Sequence, residues 1–350
     1  MNKIALLSLA VVLSAGLCMP GFAATALEQF QALGLEVTAE LPRPAPGNMA
    51  GGKGFVRAKA LEKLSLFNYQ KSDVLSVKRN PPEVHKKYTI EKIELLINDP
   101  LRALGEFKQD YLFYKTSLPG ARPTVIVFPP FSGTKWIDDW ASTYFVKEGY
   151  NAVVVVPAES LTDRTRPLNK INDILIRGVI SGRMCVDLIE TFPEVDKDRI
   201  YAYGVSMGGI RTTLIFGIEP RIKKAAEIVG GGDIPGILTD SRYRKLTGVR
   251  DARMEIEGIS STDDFRAYME ETISVDPLDF AGLRAPEDIF LVLGHGDRFV
   301  PDVYQKRLYD AFSRPQEGRY PGVIRSGGGH IPTVLKFKRY LGRFMEFFES

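Results

Sequence analysis

Short apolar runs alternate with helical stretches from about residue 88 onward, and this alternation limits the fold more than any other feature of the chain. The run at 152–156 is apolar throughout, as expected of a strand that is buried on both faces. Such alternation predicts an α/β fold, with a mostly parallel sheet covered by helices on both faces. The predicted strands are 93–97, 107–115, 124–128, 152–156, 200–203, 224–229, 289–293 and 322–324.

One segment interrupts the alternation. Between Val229 and Ile289, about sixty residues show no strand pattern. Apolar residues from Phe265 to Ile273 follow helical spacing behind a start signal at Thr262. An insertion here follows the carboxyl end of a strand, where open α/β sheets bind ligands. We therefore expect a small helical lid over about 234–285, with a packing element on the sheet edge as the alternative.

The first residues have the pattern of a secretory signal peptide. Lys3 precedes an apolar run at 4–17, and Pro20 then breaks the helix before the small residue Ala23. The pattern predicts a signal peptide over 1–23, with cleavage after Ala24 or Ala26 as alternatives. The apolar run is too short for a membrane span. We therefore expect an exported protein, periplasmic or secreted, with an N-terminal extension at 24–87.

The charged, histidine and cysteine residues exclude several functions. Lys and Arg number 46 against 43 Asp and Glu, and this balance does not favour a nucleic-acid or membrane-surface partner. Cys18 follows Leu17 rather than a small residue, so lipidation is not favoured. The two cysteines and three histidines lack the spacing of metal ligands, so no metal site is expected. Once Cys18 is removed, Cys185 has no partner for an intrachain disulfide.

A G-x-S-x-G motif carries the main functional signal. Gly204-Val205-Ser206-Met207-Gly208 lies between the predicted strand at 200–203 and a helix that begins at residue 207. This is the strand–turn–helix setting of a nucleophile elbow, in which a sharp turn exposes the serine and requires small residues two positions away on either side. Ser206 is therefore the predicted nucleophile. The alternative is a glycine-rich turn that contains an incidental serine.

A nucleophilic serine needs a base, and the base needs an orienting carboxylate. In elbow-type hydrolases these follow the serine in the order acid, then histidine, which excludes His85. His330 follows a glycine-rich loop after the last predicted strand and is the predicted base, with His295 as the alternative. Asp297, just past the strand at 289–293, is the predicted acid. Asp233, after the preceding strand, is the alternative acid.

An oxyanion hole needs two backbone N–H donors. Met207, which follows the nucleophile, is one predicted donor. The other should come from the loop after the strand at 124–128. Pro129 and Pro130 have no N–H, so Phe131 is the first candidate and Ser132 the second.

Residues from about 88 to 350 resemble the α/β-hydrolase superfamily, in its esterase, dienelactone-hydrolase and prolyl-oligopeptidase-like branch. The motifs that carry the resemblance are 204–209, 294–301 and 328–330, with similar stretches at 198–200 and 220–223. The resemblance implies an eight-stranded sheet, a Ser-His-Asp triad and no cofactor. Many members have His-Gly where this chain has Pro129-Pro130, which leaves the second oxyanion donor open.

Together these features predict an exported serine hydrolase that cleaves carboxylic esters of small molecules. One alternative is a peptidase or amidase with the same triad, although the residues before Tyr88 are too few for the propeller domain of such peptidases. Another is a non-catalytic binding protein on a hydrolase scaffold. Arg164 and Arg166, on a long loop at 158–169, are candidate contacts for an acidic substrate.

Overall fold

A computed structural model describes residues 60–131, 133–134 and 136–350. The predicted signal peptide and the part of the extension at 24–59 lie outside the described residues. The strands are β1 (Val74–Arg79), β2 (Glu83–Val84), β3 (Tyr88–Asn98), β4 (Glu106–Thr116), β5 (Arg122–Phe128), β6 (Asn151–Val155), β7 (Val195–Val205), β8 (Ile222–Ile228), β9 (Ile289–His295) and β10 (Gly322–Gly327).

All the strands join in one sheet, in the order β1-β3-β4-β6-β5-β7-β8-β9-β10, with β2 paired to β3. The six strands from β6 to β10 in this order are parallel, and the four at the other edge are antiparallel. The predicted α/β class with a mostly parallel sheet is confirmed.

Within the described residues the sheet has ten strands, rather than the eight that the resemblance implied. The eight strands predicted from the sequence are all present, and β1 and β2 are additional. Both lie at the antiparallel edge, where β1 is mostly exposed and β2 spans only two exposed residues. Such strands lack the continuous apolar run that identified the others. They precede the domain boundary predicted at Tyr88, so the sheet extends into the segment assigned to the N-terminal extension.

Helices cover the two faces of the sheet. They are α1 (Trp136–Lys147), α2 (Lys170–Ile189), α3 (Met207–Ile218), α4 (Ile234–Asp240), α5 (Arg244–Glu257), α6 (Thr262–Thr272), α7 (Pro277–Phe280), α8 (Asp302–Phe312), α9 (His330–Leu335) and α10 (Phe337–Glu349). The side chains of β5 alternate between the layers: Val125 and Val127 pack in the core under α1 and α10, and Ile126 in the core under α2 and α3. Burial on both faces explains why the central strands are apolar throughout.

The segment between β8 and β9 is helical, containing α4 to α7 and short 3-10 turns. Helix α6 begins where Ser261 accepts a hydrogen bond from the Asp264 N–H at 3.1 Å, next to the predicted start at Thr262. Phe265 and Met269 are its buried residues, as the helical spacing indicated. Because the segment begins at the carboxyl end of β8, it adjoins the edge of the sheet on which the site residues lie.

Candidate active site

Ser206 is the single residue between β7 and α3, and it is held in an unusual backbone conformation. Its φ is 59° and its ψ is −121°, a region that non-glycine residues rarely adopt. Its N–H donates to the Ile228 carbonyl of β8 at 2.8 Å. The neighbouring strand therefore fixes a strained turn that presents the serine at the edge of the sheet, as the elbow motif predicted.

Two close backbone contacts explain the glycines of the motif. A Cβ at Gly204 would lie 2.2 Å from the Gly208 carbonyl oxygen. A Cβ at Gly208 would lie 1.9 Å from the Phe128 carbonyl oxygen. Both contacts are with backbone atoms, which cannot move aside as a flexible side chain can. The turn is thus pressed against the end of β5 and the loop that follows it.

His330 and Asp297 form a buried pair. His330 is the first residue of α9 and is separated from the end of β10 by two glycines; its Nδ1 lies 2.7 Å from Asp297 Oδ2. Their residue exposures are only 8% and 5%, so water does not compete strongly for this hydrogen bond. The Phe299 ring packs against the imidazole with 4.8 Å between centroids. These contacts fix the orientation of the imidazole ring.

Three further donors hold the Asp297 carboxylate. Oδ1 accepts the N–H groups of Phe299 at 2.7 Å and Val300 at 3.0 Å, and Oδ2 accepts Gln305 Nε2 at 3.0 Å. Gln305, on α8, also accepts the Gly294 N–H at 2.8 Å. Sequence reasoning missed Gln305, which belongs to no motif, and it assigned no role to Phe299, although Phe299 lies within the motif at 294–301. Only the packing of α8 on β9 brings Gln305 to the acid.

The alternative acid and base are engaged elsewhere. Asp233 caps α4 by accepting the Gly236 N–H at 3.0 Å, and it forms ion pairs with Arg266 and Arg307. The His295 side chain is 88% exposed, and its Nδ1 lies 3.0 Å from Asp302 Oδ2. The structure thus brings Asp297 and His330 together and places Asp233 and His295 in other contacts.

The predicted oxyanion donors lie beside an apolar pocket. Met207 begins α3, so its N–H has no acceptor within the helix. Phe131 follows β5 and is partly buried, and the Gly133 N–H closes a turn onto the Pro130 carbonyl at 3.0 Å. Ser132, the second candidate, lies outside the described residues. Met207 and Phe131 both line the pocket, which opens to solvent.

Helices of the insertion form one wall of this pocket. Its lining side chains from α4, α5 and α6 are Ile234, Leu238, Leu246, Val249, Arg250, Arg253 and Phe265. The opposite wall comes from α2 and from the loop before it. Arg253 joins the two walls by donating to the Asp163 carbonyl of that loop at 2.6 Å. The predicted lid segment is therefore in contact with the candidate site.

The two loop arginines suggested for an acidic substrate differ in their surroundings. Arg166 forms ion pairs with Glu159 and with Asp163, the latter at 3.4 Å. The Arg164 guanidinium extends towards α5, where it lies 3.0 Å from the position of a Cβ at Gly248. Arg166 is therefore already neutralised by acids of its own loop.

In the described part of the chain, no group of three or more His, Cys, Asp or Glu side chains could hold a metal ion. Within those same residues, no helix is both long and apolar enough to cross a bilayer. Cys185 is a buried free thiol on α2.

No family model and no curated protein matches this chain. Several solved structures, however, are similar to it. It is similar to acetyl xylan esterase 1 from a Thermoanaerobacterium species, with a TM-score of 0.60 and 15% identity over 84% of this chain and 94% of the other. It is also similar to an acetyl xylan esterase from a Paenibacillus species, with a TM-score of 0.59 and 13% identity over 87% and 96% of the two chains.

A third similar structure is an alpha/beta hydrolase from a Penicillium species, with a TM-score of 0.53 and 14% identity over 74% of this chain and 98% of the other. The chain has the α/β-hydrolase fold. In this α/β-hydrolase fold, Ser206, Asp297 and His330 follow the carboxyl ends of β7, β9 and β10. These strands are parallel and lie within four adjacent positions of the sheet, so the three residues share one edge.

Proposed function

We propose that the protein is an exported serine hydrolase that cleaves carboxylic ester bonds. One observation carries the proposal. The strained Ser206 turn and the buried His330–Asp297 hydrogen bond follow parallel strands and face the same edge of the sheet. A serine at a sharp turn, together with an oriented imidazole, is the arrangement that acyl transfer requires.

In the proposed reaction, Ser206 Oγ attacks the ester carbonyl carbon while His330 Nε2 accepts the hydroxyl proton. Asp297 accepts a hydrogen bond from Nδ1–H and stabilises the imidazolium. The Met207 and Phe131 N–H groups bind the oxyanion. His330 then protonates the leaving alcohol, and an acyl ester of Ser206 remains. Water, activated by the same imidazole, releases the acid and restores the serine.

The pocket favours an ester with an apolar group. It adjoins both proposed oxyanion donors, and apart from two arginines its lining is apolar. Two of the similar structures are esterases by name, which supports ester cleavage. The substrate class we propose is a small-molecule carboxylic ester whose apolar acyl or alcohol part occupies the space between α2 and the insertion.

Hydrolysis of p-nitrophenyl esters from acetate to palmitate tests this function. We expect activity that disappears in Ser206→Ala and a chain-length optimum set by the pocket. Ser326→Ala, which changes a serine outside the proposed triad, controls for replacing a hydroxyl near the sheet edge. Folded wild-type protein that cleaves no ester in the series, or Ser206→Ala with undiminished activity, would overturn the proposal.

Export is tested separately. We expect the mature protein recovered from the periplasm or medium of an expressing bacterium to begin at Ala24. Full-length protein that stays in the cytoplasm would contradict export and leave the proposed chemistry untouched.

A further inference from the structure

A second, partly open pocket lies next to the proposed substrate pocket. It is walled by the end of β6, by α2 and by α3, and it shares α2 and the loop before α2 with the first pocket. Its polar lining is Gln109, Glu159, Arg177, Ser181 and Arg211. Unlike the first pocket, it is therefore rich in groups that can bind a polar ligand.

Arg211 is the unusual member of this lining. It lies on α3, five residues after Ser206, and only 6% of it is exposed. Its side chain lies against α2, with Nε 3.7 Å from the position of a Cβ at Gly178. Among the described residues, its Nε has no hydrogen-bond partner and no carboxylate forms an ion pair with it.

The acids of the cavity are already occupied. Arg177 donates to Glu159 at 2.5 Å and to Asp99 at 3.2 Å. Glu159 also forms an ion pair with Arg166. Among the charged side chains of the lining itself, Arg177 is paired with Glu159, and Arg211 is left without an acid partner.

An unpaired buried cation destabilises a folded protein, because desolvation is not offset by an opposite charge. Burial lowers the pKa of Arg211 to about 10, so the side chain is still a cation at neutral pH. Natural proteins retain such costly groups mainly where function requires them. A guanidinium binds carboxylate and phosphate oxyanions especially well, because its N–H groups can donate in pairs.

We propose that this cavity binds a small oxyanion, a carboxylate or a phosphate, whose charge is paired with Arg211. Ser181 and Arg177 lie in the same lining and are the further donors available to it. The oxyanion has two possible sources. It is the acidic end of an ester bound in the neighbouring pocket, or it is a separate anion. The first source rests on the proposed function, and the second does not.

Thermal unfolding in sodium succinate, phosphate or chloride at matched ionic strength tests for the site. We expect succinate or phosphate to raise the Tm of wild type, and of Ser206→Ala, relative to chloride. Arg211→Met should lose this response and should unfold at a higher Tm than wild type in chloride, because the unpaired charge is gone. Arg343→Met, which removes an exposed arginine, is the matched control and should keep the response.

Kinetics separates the two sources. We compare kcat/KM for mono-p-nitrophenyl succinate, which carries a carboxylate, with that for neutral p-nitrophenyl butyrate. If the substrate supplies the anion, Arg211→Met lowers the ratio of kcat/KM for the succinate ester to kcat/KM for the butyrate ester. The decrease should be about tenfold or more, as expected for loss of a charge-assisted contact. If the anion is separate, the ratio is unchanged while the Tm response is still lost.

Two results would overturn the proposal. One is a wild-type Tm that is the same in chloride, succinate and phosphate, and this needs no variant to fold. The other is an anion response that Arg211→Met retains. Because Ser206→Ala must also show the response, failure of ester hydrolysis and failure of the anion site are distinguishable.

Discussion

Glu227, a buried acid beneath the elbow, gives a quantitative prediction about stability. It lies on β8 with no exposed surface, and Oε2 accepts the Gly230 N–H. A Cβ at Gly209 of the elbow helix would lie 2.6 Å from the same oxygen. Burial raises the pKa of Glu227 from 4.5 to about 8, so the folded protein holds a neutral carboxyl there at pH 7.

The sign of the pH dependence follows from proton binding. Between pH 4.5 and pH 8 the folded state keeps the Glu227 proton and the unfolded state has lost it. The free energy of unfolding therefore falls as pH rises through this window. At about 1.4 kcal/mol per unit, a rise from 4.5 to about 8 corresponds to about 5 kcal/mol. Relaxation of the protein around a charged carboxylate would reduce this value.

Glu227→Gln isolates this effect, because the amide is neutral at every pH and can still accept the Gly230 N–H. We would measure urea unfolding of wild type and variant from pH 5 to pH 9. As pH rises from 5 to 9, the free energy of unfolding of the variant should increase relative to that of wild type by several kcal/mol. Glu106→Gln, at the exposed start of β4, is the matched control for changing a strand carboxyl to an amide. If the free energies of unfolding of wild type and Glu227→Gln differ by the same amount at every pH, the reasoning is refuted.

Three further predictions concern the site and its surroundings. Gly208→Ala should lower kcat/KM for p-nitrophenyl acetate about a hundredfold, because its Cβ would lie 1.9 Å from the Phe128 carbonyl oxygen and displace the turn; full activity with retained circular dichroism would contradict this. Asp297→Asn should lower kcat roughly ten thousandfold by disturbing the His330 tautomer, and an effect below tenfold would remove Asp297 from its role. Burial raises the pKa of the Cys185 thiol, so a thiol reagent should modify it only after unfolding; rapid labelling of native protein would show that α2 opens.

Local pattern was enough to predict most of the architecture. Apolar runs identified the central strands because helices bury both of their faces. The elbow was predictable because its close contacts demand glycine at fixed distances from Ser206. Strands β1 and β2 were missed because one is mostly exposed and the other is very short. Their pairing depends on β3 and not on any pattern of their own.

The groups that support the site could not be predicted from local pattern. Gln305 reaches Asp297 only because α8 packs beside β9, and Phe299 reaches His330 only because α9 follows an adjacent strand. Arg211 looks like an ordinary polar residue of a helix until α2 is seen to bury it. Glu227 likewise interrupts an apolar strand without indicating that it lies under the elbow. Each property arises from contacts between packed secondary-structure elements, which the pattern within one element does not show.

Covalent labelling by a fluorophosphonate, mapped by mass spectrometry, tests the central claim that Ser206 is an activated nucleophile. The account predicts one adduct, on the peptide that contains Ser206, formed slowly in Asp297→Asn and absent from Ser206→Ala. Folded wild-type protein that forms no adduct, or an adduct that persists in Ser206→Ala, would contradict it.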